Sequence, residues 1–144
     1  MKIEKAIFAC GCFWGVQHQM ERAKGVVGST VGYTGGKEQH PTYQEVKAHS
    51  TGHAEAVLVE YDAEQTTYKE LCKLFFEIHD PAQTDGQGPD IGPQYRSEIF
   101  YYCCPIKILR SYKIRADFIC EVSPFSLDFS RQTIKSNHGQ KYTF

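Results

Sequence analysis

Between residues 53 and 79 the repeat of apolar side chains changes from two residues to about 3.6, and no other feature constrains the fold as much. In "HAEAVLVEYD" (53–62), alternation puts His53, Glu55, Val57, Val59 and Tyr61 on one face of a strand. In the next stretch, "TTYKELCKLFFEIHD", Tyr68, Leu71, Cys72 and Phe75 recur at i, i+3, i+4 and i+7, the stripe of an amphipathic helix. Thr67 and Glu70 have capping-box spacing, and Pro81 ends the helix.

The same signals run through the rest of the chain. "KAIFAC" is an apolar run of strand length, and "FWGVQHQMERAKG" reads as a helix with Phe13, Val16, Gln17 and Met20 near one face. Gly25 stands where that helix stops. "VVGSTVGYTGG" is a second strand ending in a glycine turn. "KEQHPTYQEVKAHSTG" reads as a polar connection, and "PAQTDGQGPDIGPQ" as a loop rich in Gly and Pro. "YRSEIFYYC" is a fourth strand. The order β-α-β-β-α-β is the split βαβ pattern. It implies a ferredoxin-like α/β (α+β sandwich) fold with two helices on one face of a mixed four-stranded sheet. Farther on, Ile108, Leu109, Tyr112, Ala116 and Ile119 suit one side of a helix.

The 144 residues suit one domain over 1–144, with a core at 1–102 and an extension at 103–144. Charge divides at that boundary. Residues 1–102 carry nine basic and fourteen acidic residues, a net of −5; residues 103–144 carry seven and three, a net of +4. The whole-chain charge of −1 gives no general attraction to nucleic acid or anionic membrane. The start, "MKIEKAIFACGCFWGV", lacks the cleavage site of a secretion signal. The expectation is a cytoplasmic protein whose six cysteines, Cys10, Cys12, Cys72, Cys103, Cys104 and Cys120, are mostly reduced.

Cys12 falls where the first strand hands over to the first helix. There the free N–H groups and the positive dipole end favour thiolate and lower a cysteine pKa. Gly11 and Gly15 give access to the sulfur. Two readings stand: a nucleophile, or a small thiol packed at a strand end. Cys10 and Cys72 read as core thiols. Glu55 shares a face with apolar residues, so its carboxyl is expected to keep its proton near neutrality and serve as a general acid. The alternative is a strand-end glutamate that reaches water or pairs with a lysine. Tyr43, Asp90 and Tyr95 lie in or beside polar loops, and each alone is ordinary.

Seven segments, "GCFWG" (11–15), "GYTGG" (32–36), "PTY" (41–43), "TGHAEAV" (51–57), "HDPAQ" (79–83), "QGPD" (87–90) and "QYRS" (94–97), stand in the order and spacing of one family. Over residues 5–102 the chain resembles the A-type peptide methionine sulfoxide reductases, enzymes that reverse one epimer of methionine sulfoxide. The resemblance implies roles residue by residue. Cys12 is the nucleophile on the sulfoxide sulfur. Glu55 protonates the sulfoxide oxygen, and the hydroxyls of Tyr43 and Tyr95 hold it. Phe13 and Trp14 wall the S-methyl pocket, and Asp90 orients the substrate main chain. The substrate is the S epimer at sulfur, free or in proteins. The products are methionine and a sulfenic acid on Cys12, reset by thioredoxin or another thiol. No metal and no organic cofactor are expected, and the protein is expected to be a monomer.

The resemblance implies a resolving cysteine without choosing it. Cys103, Cys104 and Cys120 are candidates, with Cys10 last because a C-x-C disulfide is strained. After Tyr102 the basic stretch "CCPIKILRSYKIRADFIC" departs from the family, while "EVSPFS" and "NHGQKY" resemble its late strand and tail. That departure leaves open an inactive or impaired relative. A metal-binding module fits poorly, since the cysteine pairs are C-x-C and C-C and not C-x₂₋₄-C. A different thiol enzyme, such as a peroxidase, does not account for the seven segments.

Overall fold

The structure is a computed structural model that describes residues 1–83, 85–103, 108–113, 123–125, 133–135 and 141–143, with side chains at 1–83 and 85–100. The elements are β1 (Ile3–Cys10), α1 (Phe13–Glu21), β2 (Val26–Thr34), α2 (Tyr43–Lys47), β3 (Ala54–Asp62), α3 (Tyr68–Ile78), β4 (Gly86–Gln87) and β5 (Asp90–Ile91). A 3₁₀ turn (Pro93–Tyr95) follows, then β6 (Ser97–Cys103), β7 (Ile108–Lys113), β8 (Ser123–Phe125), β9 (Thr133–Lys135) and β10 (Lys141–Thr143).

Six strands form one sheet in the order β2-β3-β1-β6-β7-β8. Its first four members carry the expected β-α-β-β-α-β connectivity. The expected mixed sheet is corrected: every neighbouring pair is antiparallel. The cause is topological. Each helix links strands that are not neighbours, and the strand inserted between them runs the other way.

Alternation then sorts the side chains. Ala6, Phe8 and Cys10 of β1, Val31 of β2, Val57, Val59 and Tyr61 of β3 and Ile99 of β6 meet the helices. From α1 come Phe13, Val16 and Met20, and from α3 Leu71 and Phe75. Phe8 lies at the centre, its ring 5.6 Å from that of Phe75 and 6.2 Å from that of Tyr68. Each such ring contributes about 1.5–3 kcal/mol by leaving water. Ile7, Ala9, Ala54, Ala56 and Phe100 form a second buried cluster on the opposite face.

Local chemistry fixes the ends. The Thr67 hydroxyl accepts the Glu70 N–H while the Glu70 carboxylate accepts the Thr67 N–H, completing the capping box of α3. The connection read as polar loop holds α2. Its Thr42–Glu45 capping box closes a five-residue helix with only Val46 buried, too little apolar face to give a periodic signal. The loop at 81–94 holds the two-residue strands β4 and β5, and the 3₁₀ turn delays the fourth strand to Ser97. The stretch at 108–113, whose spacing suits a helix, is instead β7, paired with β6 from Glu98↔Lys113 to Cys103↔Ile108. Ala116 and Ile119 lie outside the described residues, as do Cys104 and Cys120. Among the described residues no helix is long and apolar enough to cross a membrane.

Candidate active site

Antiparallel pairing brings four strand ends together. The last residue of β1, Cys10, faces Ser97 at the start of β6. Near the end of β2, Tyr33 faces Glu55 near the start of β3. The site occupies this end of the sheet, where the chain leaves β1 and enters α1.

Gly11 makes the turn. Its φ of +110° lies where only glycine is unstrained, and a Cβ there would stand 2.9 Å from the Gln87 Cβ. Gln87 cannot easily yield, because its side chain is bonded to both the N–H and the carbonyl of Asp80. β4 thus rests directly on the turn before Cys12. Gly15 has no such role for the protein: a Cβ there would meet nothing within 4 Å.

Cys12 is the N-cap residue of α1, and its carbonyl accepts the N–H groups of Gly15 and Val16 at 3.1 and 3.2 Å. Burial raises the thiol above its ordinary value. The N–H groups of Trp14 and Gly15 pull it down, and the charges of Glu55 and Asp90 push it up again. The expected fall in pKa is therefore corrected. The helix start acts as expected, but desolvation and two carboxylates outweigh it, and the resting group is a neutral thiol.

Glu55 is 4% exposed. Its carboxylate accepts the Phe13 N–H at 3.0 Å, one of the free donors in the first turn of α1. Burial lifts its pKa to about 7; the Phe13 bond opposes the shift and the Asp90 charge adds to it. The carboxyl therefore holds or releases a proton near neutral pH, and it shares an electrostatic field with Cys12.

The aromatic wall stands beside this pair. The Phe13 ring packs edge-on against Trp14, with centroids 5.2 Å apart, and tilted against Tyr33 at 5.6 Å. Tyr95 ends the 3₁₀ turn. Its hydroxyl is raised by burial and by the charge of Glu55, lowered by a bond to the Gln94 side chain, and raised again by Asp90 and Cys12. Tyr43 opens α2 and is 42% exposed; it reaches the group electrostatically through Tyr33. His53 ties its approach loop to β3: Nδ1 accepts the Gly36 N–H at 3.2 Å, and Nε2 lies 2.9 Å from the Glu38 carbonyl.

Cys12, Phe13, Trp14, Glu55, Asp90 and Tyr95 thus share one end of the sheet, with Tyr43 at its edge. Cys10 is buried, and burial pushes its thiol up to about 12. At Cys103 the structure describes the backbone as the last residue of β6. Tyr33 was not among the predicted site residues. The alternation of "VVGSTVGYT" against "HAEAVLV" carried the signal, because it sets Tyr33 opposite Glu55 once the two strands pair.

A split-βαβ fold with a cysteine at the first helix start, and a buried carboxyl held by the next residue's N–H, defines a thiol-bearing α+β class. Residues 4–105 match the sequence model of the family described as peptide methionine sulfoxide reductase, and the chain belongs to that family. Among curated relatives, the peptide methionine sulfoxide reductase MsrA of Methanosarcina mazei is 54% identical over 100 residues, which is 69% of this chain and 47% of that protein. The MsrA of Geobacter metallireducens is 52% identical over 101 residues, 70% of this chain and 62% of that one. The solved structure of methionine sulfoxide reductase A of Corynebacterium diphtheriae superposes with a TM-score of 0.69 at 40% identity, covering 73% of this chain and 49% of that chain. The chain spans about half to three fifths of the length of these curated relatives.

Proposed function

We propose that this chain is a single catalytic domain over 1–144 that reduces the S epimer of methionine sulfoxide, free or in proteins, to methionine. The observation that carries the reading is the bond from the Phe13 N–H to the buried Glu55 carboxyl, which sets a group titrating at about 7 beside Cys12. A sulfoxide oxygen leaves poorly until it is protonated, and a thiol attacks poorly until it is deprotonated. One carboxyl between the two meets both needs. Glu55 takes the Cys12 proton and delivers it to the sulfoxide oxygen as sulfur bonds to sulfur. The protonated oxygen then passes as hydroxyl from the substrate sulfur to the Cys12 sulfur, the transient S–S bond breaks with its electron pair staying on the substrate sulfur, and methionine leaves. In net terms Cys–SH and R–S(=O)–CH₃ become Cys–SOH and R–S–CH₃, with Cys12 oxidised and the substrate sulfur reduced.

Phe13 and Trp14 receive the S-methyl group, Tyr43 and Tyr95 hold the oxygen, and Asp90 orients the substrate backbone. The sulfenic acid is reset by a resolving cysteine with thioredoxin, or directly by another thiol. The burial of Cys10 disfavours it as the resolving residue. The protein acts in the cytoplasm as a monomer.

A single turnover tests this. Reduced protein with excess methionine sulfoxide and no added reductant should form about one methionine per chain. Cys12→Ser should form none, and a sulfenic-acid trap should label only the unsubstituted protein. A folded protein that yields no methionine would refute the reading and favour an inactive relative.

A further inference from the structure

Tyr33 has no part in the chemistry above, yet its hydroxyl is buried at the same end of the sheet without a hydrogen-bond partner among the described residues. Two contacts fix where it points. It stands opposite Glu55 in the β2–β3 register, so the two side chains rise from the same face as cross-strand neighbours. Its ring is tilted against Phe13, the residue whose N–H holds the Glu55 carboxyl. A buried hydroxyl that gives its proton to nothing lowers stability, and folded proteins rarely retain one without a use.

We propose that Tyr33 donates a hydrogen bond to the substrate's sulfoxide oxygen, taking from the ligand the acceptor it lacks among the described residues. The inference rests on the sulfoxide reductase reading. Charge grows on that oxygen as the thiolate attacks, so a donor already aimed at it favours the transition state over the ground state. Tyr33 keeps its proton throughout; the proton that ends on oxygen comes through Glu55. The environment agrees with a donor and not an acid. Burial first, then the charge of the Glu55 carboxylate, holds the hydroxyl well above the usual tyrosine range.

Tyr33→Phe keeps the ring against Phe13 and removes only the hydroxyl. The single-turnover rate at saturating methionine sulfoxide should fall about tenfold, the loss of one such bond. Affinity for methionine, which lacks the oxygen, should stay the same, and the melting temperature should hold or rise. A rate within twofold of the unsubstituted protein would overturn the proposal. So would a slower rate accompanied by a lower melting temperature or weaker methionine binding, since either marks a structural role. The two readings separate in the control. An active unsubstituted protein with an equally active variant refutes Tyr33 alone, whereas an inactive unsubstituted protein removes the activity on which the proposal depends.

Discussion

Replacing Glu55 by glutamine should stabilise the protein, and by an amount that depends on pH. The carboxyl titrates at about 7 in the fold against an ordinary value of 4.5. At pH values well below 4.5 it is protonated in both folded and unfolded chains, and its ionisation affects nothing. Between 4.5 and about 7 the unfolded chain releases the proton while the folded one keeps it, so stability falls as pH rises. Above 7 the fall is complete. At about 1.4 kcal/mol per pKa unit, the cost is about 1 kcal/mol at pH 5 and about 3 kcal/mol at pH 8. Glutamine removes the titration and keeps an oxygen for the Phe13 N–H. Any fixed cost of its amide cancels when the two pH values are compared. Urea unfolding at pH 5 and pH 8 should therefore show the gap between Glu55→Gln and the unsubstituted protein moving in the variant's favour by about 2–3 kcal/mol. That corresponds to about 1 M in midpoint. Parallel loss of stability in both proteins would refute the assignment of a raised carboxyl pKa to Glu55.

Three further outcomes follow from the geometry. The first-turnover rate should climb with pH and level off above about 7, because from there the Cys12–Glu55 pair already carries the single proton the reaction needs; in Glu55→Gln the residual rate should keep climbing with thiolate, and a profile in the unsubstituted protein that rises steadily to pH 9 would contradict the pairing. Gly11→Ala forces a Cβ to φ +110° and against Gln87, and should cost about 1–3 kcal/mol in urea unfolding together with the methionine burst; unchanged stability would show that the turn relaxes freely. Arg96 bonds Glu98 at 2.8 Å, and Glu98 is only 2% exposed, so Arg96→Met should cost about 3–5 kcal/mol by stranding a buried carboxylate, with much of it regained in Arg96→Met/Glu98→Leu; a loss below about 1 kcal/mol would show that water reaches Glu98.

Much of this was readable from local pattern. The period of two in "HAEAVLVEYD" placed Glu55 on the helix-facing side of β3, and burial there follows from its neighbours Val57 and Val59. The step from strand to helix placed Cys12 at a helix start. What local pattern could not supply was set by partners distant in sequence. The Cys12 pKa depends on Glu55 and Asp90, so a dipole argument alone took the wrong sign. Residues 108–113 fit a helical stripe, but pairing along β6 decides their conformation. Strand direction followed from which strand inserts between which, and not from any strand's own residues. The connection at 37–52 reads as polar loop because the five-residue α2 has too few apolar positions to show a period, although Thr42 and Glu45 stand at capping-box spacing.

Drawing the site from strand ends far apart in the chain has a consequence for how it comes into being. Its members span positions 12 to 95, and no hairpin or single helix contains more than a few of them. A growing chain therefore holds only an ordinary, water-exposed thiol at Cys12 until β6 has docked beside β1 and the 3₁₀ turn has brought up Tyr95. Contacts this distant in sequence form late and together, because each requires a long loop to close. On the proposed function, reactivity would arrive as a property of the finished sheet and depart with it. The proposed rate per molecule would then measure the folded fraction of the whole β1–β6 assembly, and a fragment lacking β6 and the 3₁₀ turn should show none of it.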